Sequence, residues 1–151
     1  MTPALVAVIV NISIAVVITN LPFIEMPISD INHYNLRIPK ENMEALCLFY
    51  TSVIGLTVGH RPLKSVGYWL YAGDKSLLHL SLASVDELRE YDKQNAFDHI
   101  AFSCTNLTEF EANLSIVGVL YKRNVITETG QVQLFLHDPM GNKIELNFST
   151  V

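Results

Sequence analysis

Two stretches of this chain set a histidine in the same surroundings. Ile31-Asn32-His33-Tyr34-Asn35-Leu36-Arg37 and Phe97-Asp98-His99-Ile100-Ala101-Phe102 are one fixed step apart, 99 − 33 = 66. Alternation puts His33, Asn35 and Arg37 on one strand face, with Tyr34, Leu36 and Ile38 on the other. In the second copy Phe97, His99, Ala101 and Ser103 oppose Ile100, Phe102 and Cys104. The same step relates His79 to Glu145, 145 − 79 = 66, again within apolar runs, Leu77 to Leu82 and Ile144 to Phe148. A lone histidine on a strand is more often a hydrogen-bonded surface residue than a ligand. Four metal-binding types at repeat-equivalent positions are a different matter, because imidazoles with one carboxylate suit Fe(II), Ni, Zn, Mn or Co. We therefore expect His33, His79, His99 and Glu145 to hold one divalent metal, with His79, flanked by leucines, the weakest member and a candidate acid/base. His60 and His137 fall in a loop and at a turn and are set aside.

The elements that must position these groups repeat as well. Strand Ile31 to Ile38 leads to Pro39, which suits a first helical turn, and Met43, Leu46, Cys47, Phe49, Tyr50, Val53 and Ile54 then recur at helical spacing until Gly55 ends the run. A short strand closes at Val58, 62–66 reads as a loop, and strands follow at Gly67 to Tyr71 and Leu77 to Leu82. The second copy runs strand Phe97 to Cys104, a helix capped by Asn106 or Thr108 and ended by Gly118, one bent strand over 119–127, strand Gln131 to Leu136, a turn at Asp138 to Asn142, and strand Lys143 to Phe148. Trp69 and Phe135 keep the step (135 − 69 = 66), while the glycines Gly55 and Gly118 do not (118 − 55 = 63), so the loops absorb length changes. Each unit is βαβββ, module one at 31–82 and module two at 97–148, joined by a polar linker at 84–95. Apolar stripes pack on the helices, and the polar faces, with Asn35, Arg37, Ser81, Gln131, Gln133, Lys143 and Asn147 beside the four candidates, imply a wet concave surface rather than a second core.

With 151 residues, half of them hydrophobic, the chain suits one domain with a sizeable core. A net charge of −5 and no basic cluster argue against nucleic acid and acidic membrane surfaces as partners. Cys47 and Cys104 give no disulfide framework and read as buried thiols in a reducing compartment. Pro3 to Ile24 is almost wholly apolar, yet no Lys or Arg precedes it and no small-x-small cleavage site follows. Residues 1–25 are expected to be an extension upstream of a start at Met26, or else a membrane anchor. The domain proper is then 26–151, cytoplasmic unless the anchor is real.

Asn32-His33 with Arg37, "FYTSVIGL" at 49–56, "DHIAF" at 98–102 and "DPMGNKIEL" at 138–146 together resemble the vicinal oxygen chelate superfamily. That superfamily holds glyoxalase I, extradiol dioxygenases, methylmalonyl-CoA epimerase and the fosfomycin and bleomycin resistance proteins. The resemblance covers 31–148 and implies an α+β fold, two βαβββ modules forming a curved mixed sheet around a metal cavity. It implies metal ligands from the first and last strand of each module, here His33, His79, His99 and Glu145.

It also implies a chemistry. Glyoxalase I and the epimerase use the metal as a Lewis acid that stabilises an enediolate while a carboxylate moves the proton, the part Glu145 would take. Arg37 stands where bacterial glyoxalase I holds glutathione, so glutathione is a possible cosubstrate, although His79 replaces the glutamate usual there. Asn35, Gln133 and Asn147 would contact substrate. The leading expectation is a glyoxalase-type lyase or isomerase acting on a small oxygen-rich molecule, as a homodimer. An Fe(II) extradiol dioxygenase built on His33, His99 and Glu145 is the alternative, and a metal-free drug-binding protein the third.

Overall fold

A computed structural model describes residues 29–87 and 96–149, together with the backbone of two further strands, β1 (Val6–Val10) and β2 (Ile14–Ile18). The chain divides into two units, Met1–Asp30 and Ile31–Val151. In the first, β1 and β2 pair antiparallel, Val6 opposite Ile18. The expectation of an extension or anchor at 1–25 otherwise lies outside the described residues. Among the described residues no helix is long and apolar enough to cross a membrane.

The second unit holds both modules. Module one comprises β3 (Tyr34–Ile38), a 3-10 turn (Lys40–Asn42), α1 (Met43–Ser52), β4 (Thr57–Val58), β5 (Gly67–Ala72) and β6 (Lys75–Leu82). Module two repeats this as β7 (Ile100–Cys104), α2 (Leu107–Ile116), β8 (Lys122–Val125), β9 (Val132–His137) and β10 (Lys143–Phe148). Each makes its own four-stranded mixed sheet, ordered β3-β6-β5-β4 and β7-β10-β9-β8. First and last strands of a module lie side by side in parallel, and the other pairings are antiparallel. The linker read at 84–95 is described as far as Glu87 and again from Ala96.

The alternation works as its side-chain chemistry demands. Ile38, Leu70, Leu78 and Leu80 in one sheet, and Leu134, Leu136, Ile144 and Leu146 in the other, are at most 2 % exposed. Against them pack Met43, Leu46, Phe49 and Tyr50 of α1 and Leu114 of α2. Burying each such side chain contributes roughly 1.5–3 kcal/mol, which is why the apolar faces, not the polar ones, decide where the sheets turn. Gly55 is left-handed at φ 88°, and the Leu56 N–H closes on the Tyr50 carbonyl at 2.9 Å, which satisfies the end of α1. At Gly67 a Cβ would come within 2.2 Å of the Leu80 carbonyl oxygen, so no other residue fits where β5 starts against β6.

Local departures from the expected elements have simple causes. The first strand of each module begins one residue after its histidine, with Tyr34 paired to Leu78 and Ile100 to Ile144. Residue 106 is the N-cap of α2 in a left-handed conformation at φ 59°, without a capping hydrogen bond from its side chain. Only 122–125 of the stretch 119–127 pairs as strand, against 132–135 of β9, and just past it the Ile126 N–H bonds the Gln131 carbonyl at 2.9 Å.

Candidate metal centre

His33 and His99 both sit immediately before a strand, each followed two residues later by the partner of a second candidate. Asn35 pairs with His79 across β3 and β6, and Ala101 pairs with Glu145 across β7 and β10. The parallel pairing of first and last strand thus creates two copies of one diagonal arrangement, a histidine and a second group on the same sheet face.

In module two the arrangement is a tight cluster. Glu145 is 5 % exposed. Its Oε1 accepts from Gln133 Nε2 at 2.7 Å and Asn147 Nδ2 at 2.8 Å, while Oε2 stands 2.9 Å from His99 Nε2. No lysine or arginine neutralises this carboxylate within ion-pair distance among the described residues. Burying a carboxylate on hydrogen bonds and one imidazole suits a group destined for a cation. His99 Nδ1 meets Asp98 Oδ2 at 2.7 Å, and the same oxygen takes Lys143 Nζ at 2.8 Å. The Phe135 ring meets His99 edge-on at 5.7 Å.

Module one is built from rings. His79 lies between Trp69, stacked 4.2 Å away and nearly parallel at 4°, and His33, 3.9 Å away at 19°. Its Nε2 contacts Ser76 Oγ at 2.6 Å. Loss of hydration, and then the positive charge that His33 and Arg61 bring nearby, hold the His79 pKa below the ordinary histidine value. His33 is exposed, with Nδ1 held by Asn32 Oδ1 at 2.7 Å.

Among the described residues no three His, Cys, Asp or Glu side chains converge closely enough to hold one ion. Instead the chain places His33 beside His79 and His99 beside Glu145, two candidate half-sites. The donor set suits a divalent metal: Asn32 and Asp98 occupy Nδ1 of His33 and His99, so Nε2 is the nitrogen that could ligate, and that of His99 already faces the Glu145 carboxylate. Of the expected substrate contacts, Gln133 and Asn147 support Glu145, and Asn35 accepts from Ser81 Oγ at 2.8 Å. Arg37 reaches Glu87 of the linker, with Nε 2.9 Å from both carboxylate oxygens and Nη2 2.5 Å from Oε2. Asn32, Asp98, Ser76 and Glu87 received no role from the sequence; for the first two, the signal was there in the shared step, 98 − 32 = 66.

No family model matches the chain. A relative from Arabidopsis thaliana, Glyoxylase I 4, is 32 % identical over 126 residues, covering 79 % of this chain and 70 % of that protein. The chain belongs to the glyoxalase I family of the vicinal oxygen chelate superfamily. A solved structure from Bacillus anthracis assigned to the glyoxalase family aligns with a TM-score of 0.67 at 22 % identity, covering 84 % of this chain and all of that one. A glyoxalase family protein of Enterococcus faecalis gives 0.58 at 27 % identity, covering 79 % and 97 %. The fold expected from the sequence, two βαβββ modules of the glyoxalase type, is therefore the observed one.

Proposed function

We propose that this glyoxalase-family chain is a divalent-metal-dependent lyase or isomerase acting on a small molecule with adjacent oxygens. The observation that carries the reading is Glu145, a buried carboxylate cradled by Gln133 and Asn147 with His99 Nε2 at 2.9 Å and no lysine or arginine within ion-pair distance among the described residues. His33, His79, His99 and Glu145 would hold the metal. When bound, it supplies a Lewis acid that polarises the substrate oxygens. Glu145 would then move the proton between neighbouring carbons, its second oxygen kept in place by the two amides. A substrate or cosubstrate carboxylate, glutathione's included, would compete with Glu87 for the Nε and Nη2 of Arg37.

The separate half-sites support a homodimer in which module one of one copy would face module two of the other, each centre drawing on both chains. The expected test is complementation. His33→Ala and Glu145→Ala proteins, each unable to bind nickel or cobalt, are mixed, unfolded and refolded together. A site shared between copies restores about a quarter of the wild-type metal content under random re-pairing; a site within one chain restores none. Metal content of the wild-type protein purified without a His tag, followed by lyase assays on α-ketoaldehydes, tests the activity. Stoichiometric iron with O2 uptake on catechols would favour the dioxygenase instead.

A further inference from the structure

The duplication extends to a pair of residues beside the candidate ligands. In each module the residue just ahead of the histidine turns its side-chain oxygen back onto Nδ1, Asn32 Oδ1 to His33 and Asp98 Oδ2 to His99, both at 2.7 Å. The first oxygen belongs to an amide and the second to a carboxylate, so the shared property is an acceptor at one position, not a charge. An acceptor there requires the proton on Nδ1 and fixes the ring's rotation about χ2.

We propose that Asn32 and Asp98 are positioning residues that clamp the two histidines with Nδ1 protonated, so that the opposite nitrogen, Nε2, which in His99 faces Glu145 Oε2 at 2.9 Å, is the one offered to a metal. This rests on the metal-dependent reading for its purpose, but the clamp itself is a property of the metal-free chain. Lys143, donating to the same Asp98 oxygen at 2.8 Å, holds the carboxylate in place; its ammonium also lies 5.1 Å from the Phe135 ring that contacts His99. Module one has no such support printed into its sequence at the matching step, residue 77 being Leu where module two has Lys143 (143 − 77 = 66). The clamp on His99 is therefore the more rigid of the two.

Two-bond proton–nitrogen correlation spectra of histidine-labelled, metal-free protein read the protonated nitrogen directly. His33 is expected with its proton on Nδ1 in the wild type, and Asn32→Ala is expected to release it to a mixture of both forms. Zinc affinity, followed by competition with a chromophoric chelator, is expected to fall about 10–100-fold in Asp98→Ala. Asp98→Asn, which keeps an acceptor and imitates Asn32, is expected to restore most of it. A His33 proton on Nε2 in the wild type, or Asp98→Ala binding zinc as the wild type does, would overturn the clamp while leaving the metal-dependent reading in place. A wild type that binds no zinc but keeps His33 protonated at Nδ1 would overturn that reading and uphold the clamp.

Discussion

Tyr50 Oη donates to Asp138 Oδ2 at 2.9 Å, joining residues 88 apart and the two sequence signatures that carry the family resemblance. One oxygen of Asp138 accepts from the Met140 and Asn142 backbone N–H groups, and the other takes Tyr50 and the Asn142 amide, all at 2.9 Å. The tyrosine of "FYTSVIGL" and the aspartate of "DPMGNKIEL" are thus one buried contact between α1 and the turn that launches β10. Burial, then neighbouring Tyr34 and Asp138, push the Tyr50 phenol far above its ordinary range, so it remains a donor at any working pH.

Tyr50→Phe leaves Asp138, 5 % exposed, short of one donor. The expected cost is about 1–3 kcal/mol of stability, read by urea unfolding. Asp138→Ala is expected to cost more, because it also strips the turn of its acceptors and frees the start of β10, on which Glu145 stands.

Glu145→Gln keeps the size of the side chain and its place beside Gln133 and Asn147 but removes the charge. Nickel or cobalt affinity is expected to collapse and turnover to fall on the order of 10²–10⁴-fold, with the circular dichroism spectrum and unfolding midpoint close to wild type. Unchanged metal titration in this variant would sink the assignment of Glu145 as ligand.

The thiols are expected to be slow. Loss of hydration raises both, Cys104 to about 11 and Cys47 also above its usual value. At pH 8 each stays protonated and therefore weakly nucleophilic. Iodoacetamide should label neither within the time that it consumes a free thiol, and both should react at once in denaturant.

His79 gives a pH signature in the metal-free protein. Its folded pKa lies below the ordinary 6.5, so the unfolded chain binds the proton more readily. Its contribution to stability is complete above 6.5 and is lost as pH falls through the lower folded value. Thermal unfolding followed from pH 7.5 downward should show this acid-side loss, and His79→Gln should flatten it. An identical profile in the variant would mean that the Trp69–His79–His33 stack does not set the histidine's environment.

Much of this was legible because the chain states it twice. The 66-residue step picked out His33, His79, His99 and Glu145, and strand alternation put Gln133 and Asn147 on the right face. What alternation cannot show is which residue leans on which. Asp98 and Asn32 read as ordinary polar neighbours until their oxygens are seen on Nδ1, and Glu87 lies in a linker with no periodicity to interpret. Nor does spacing reveal how far the half-sites stand from one another. Sequence period fixes position within a sheet, whereas the placing of one sheet against another, or against a second copy, depends on packing that no short pattern encodes.

The direct pairing of Asn35 with His79 and Ala101 with Glu145 has a further consequence. In each module the two chelating positions are 46 residues apart along the chain (79 − 33 and 145 − 99). Yet they are tied by a single backbone ladder, with helix, short strands and hairpins all strung outside it. Insertions or deletions at 59–66 or 126–131 would reshape the loops without loosening that ladder. Such an architecture leaves the loops open to change while the paired positions stay still.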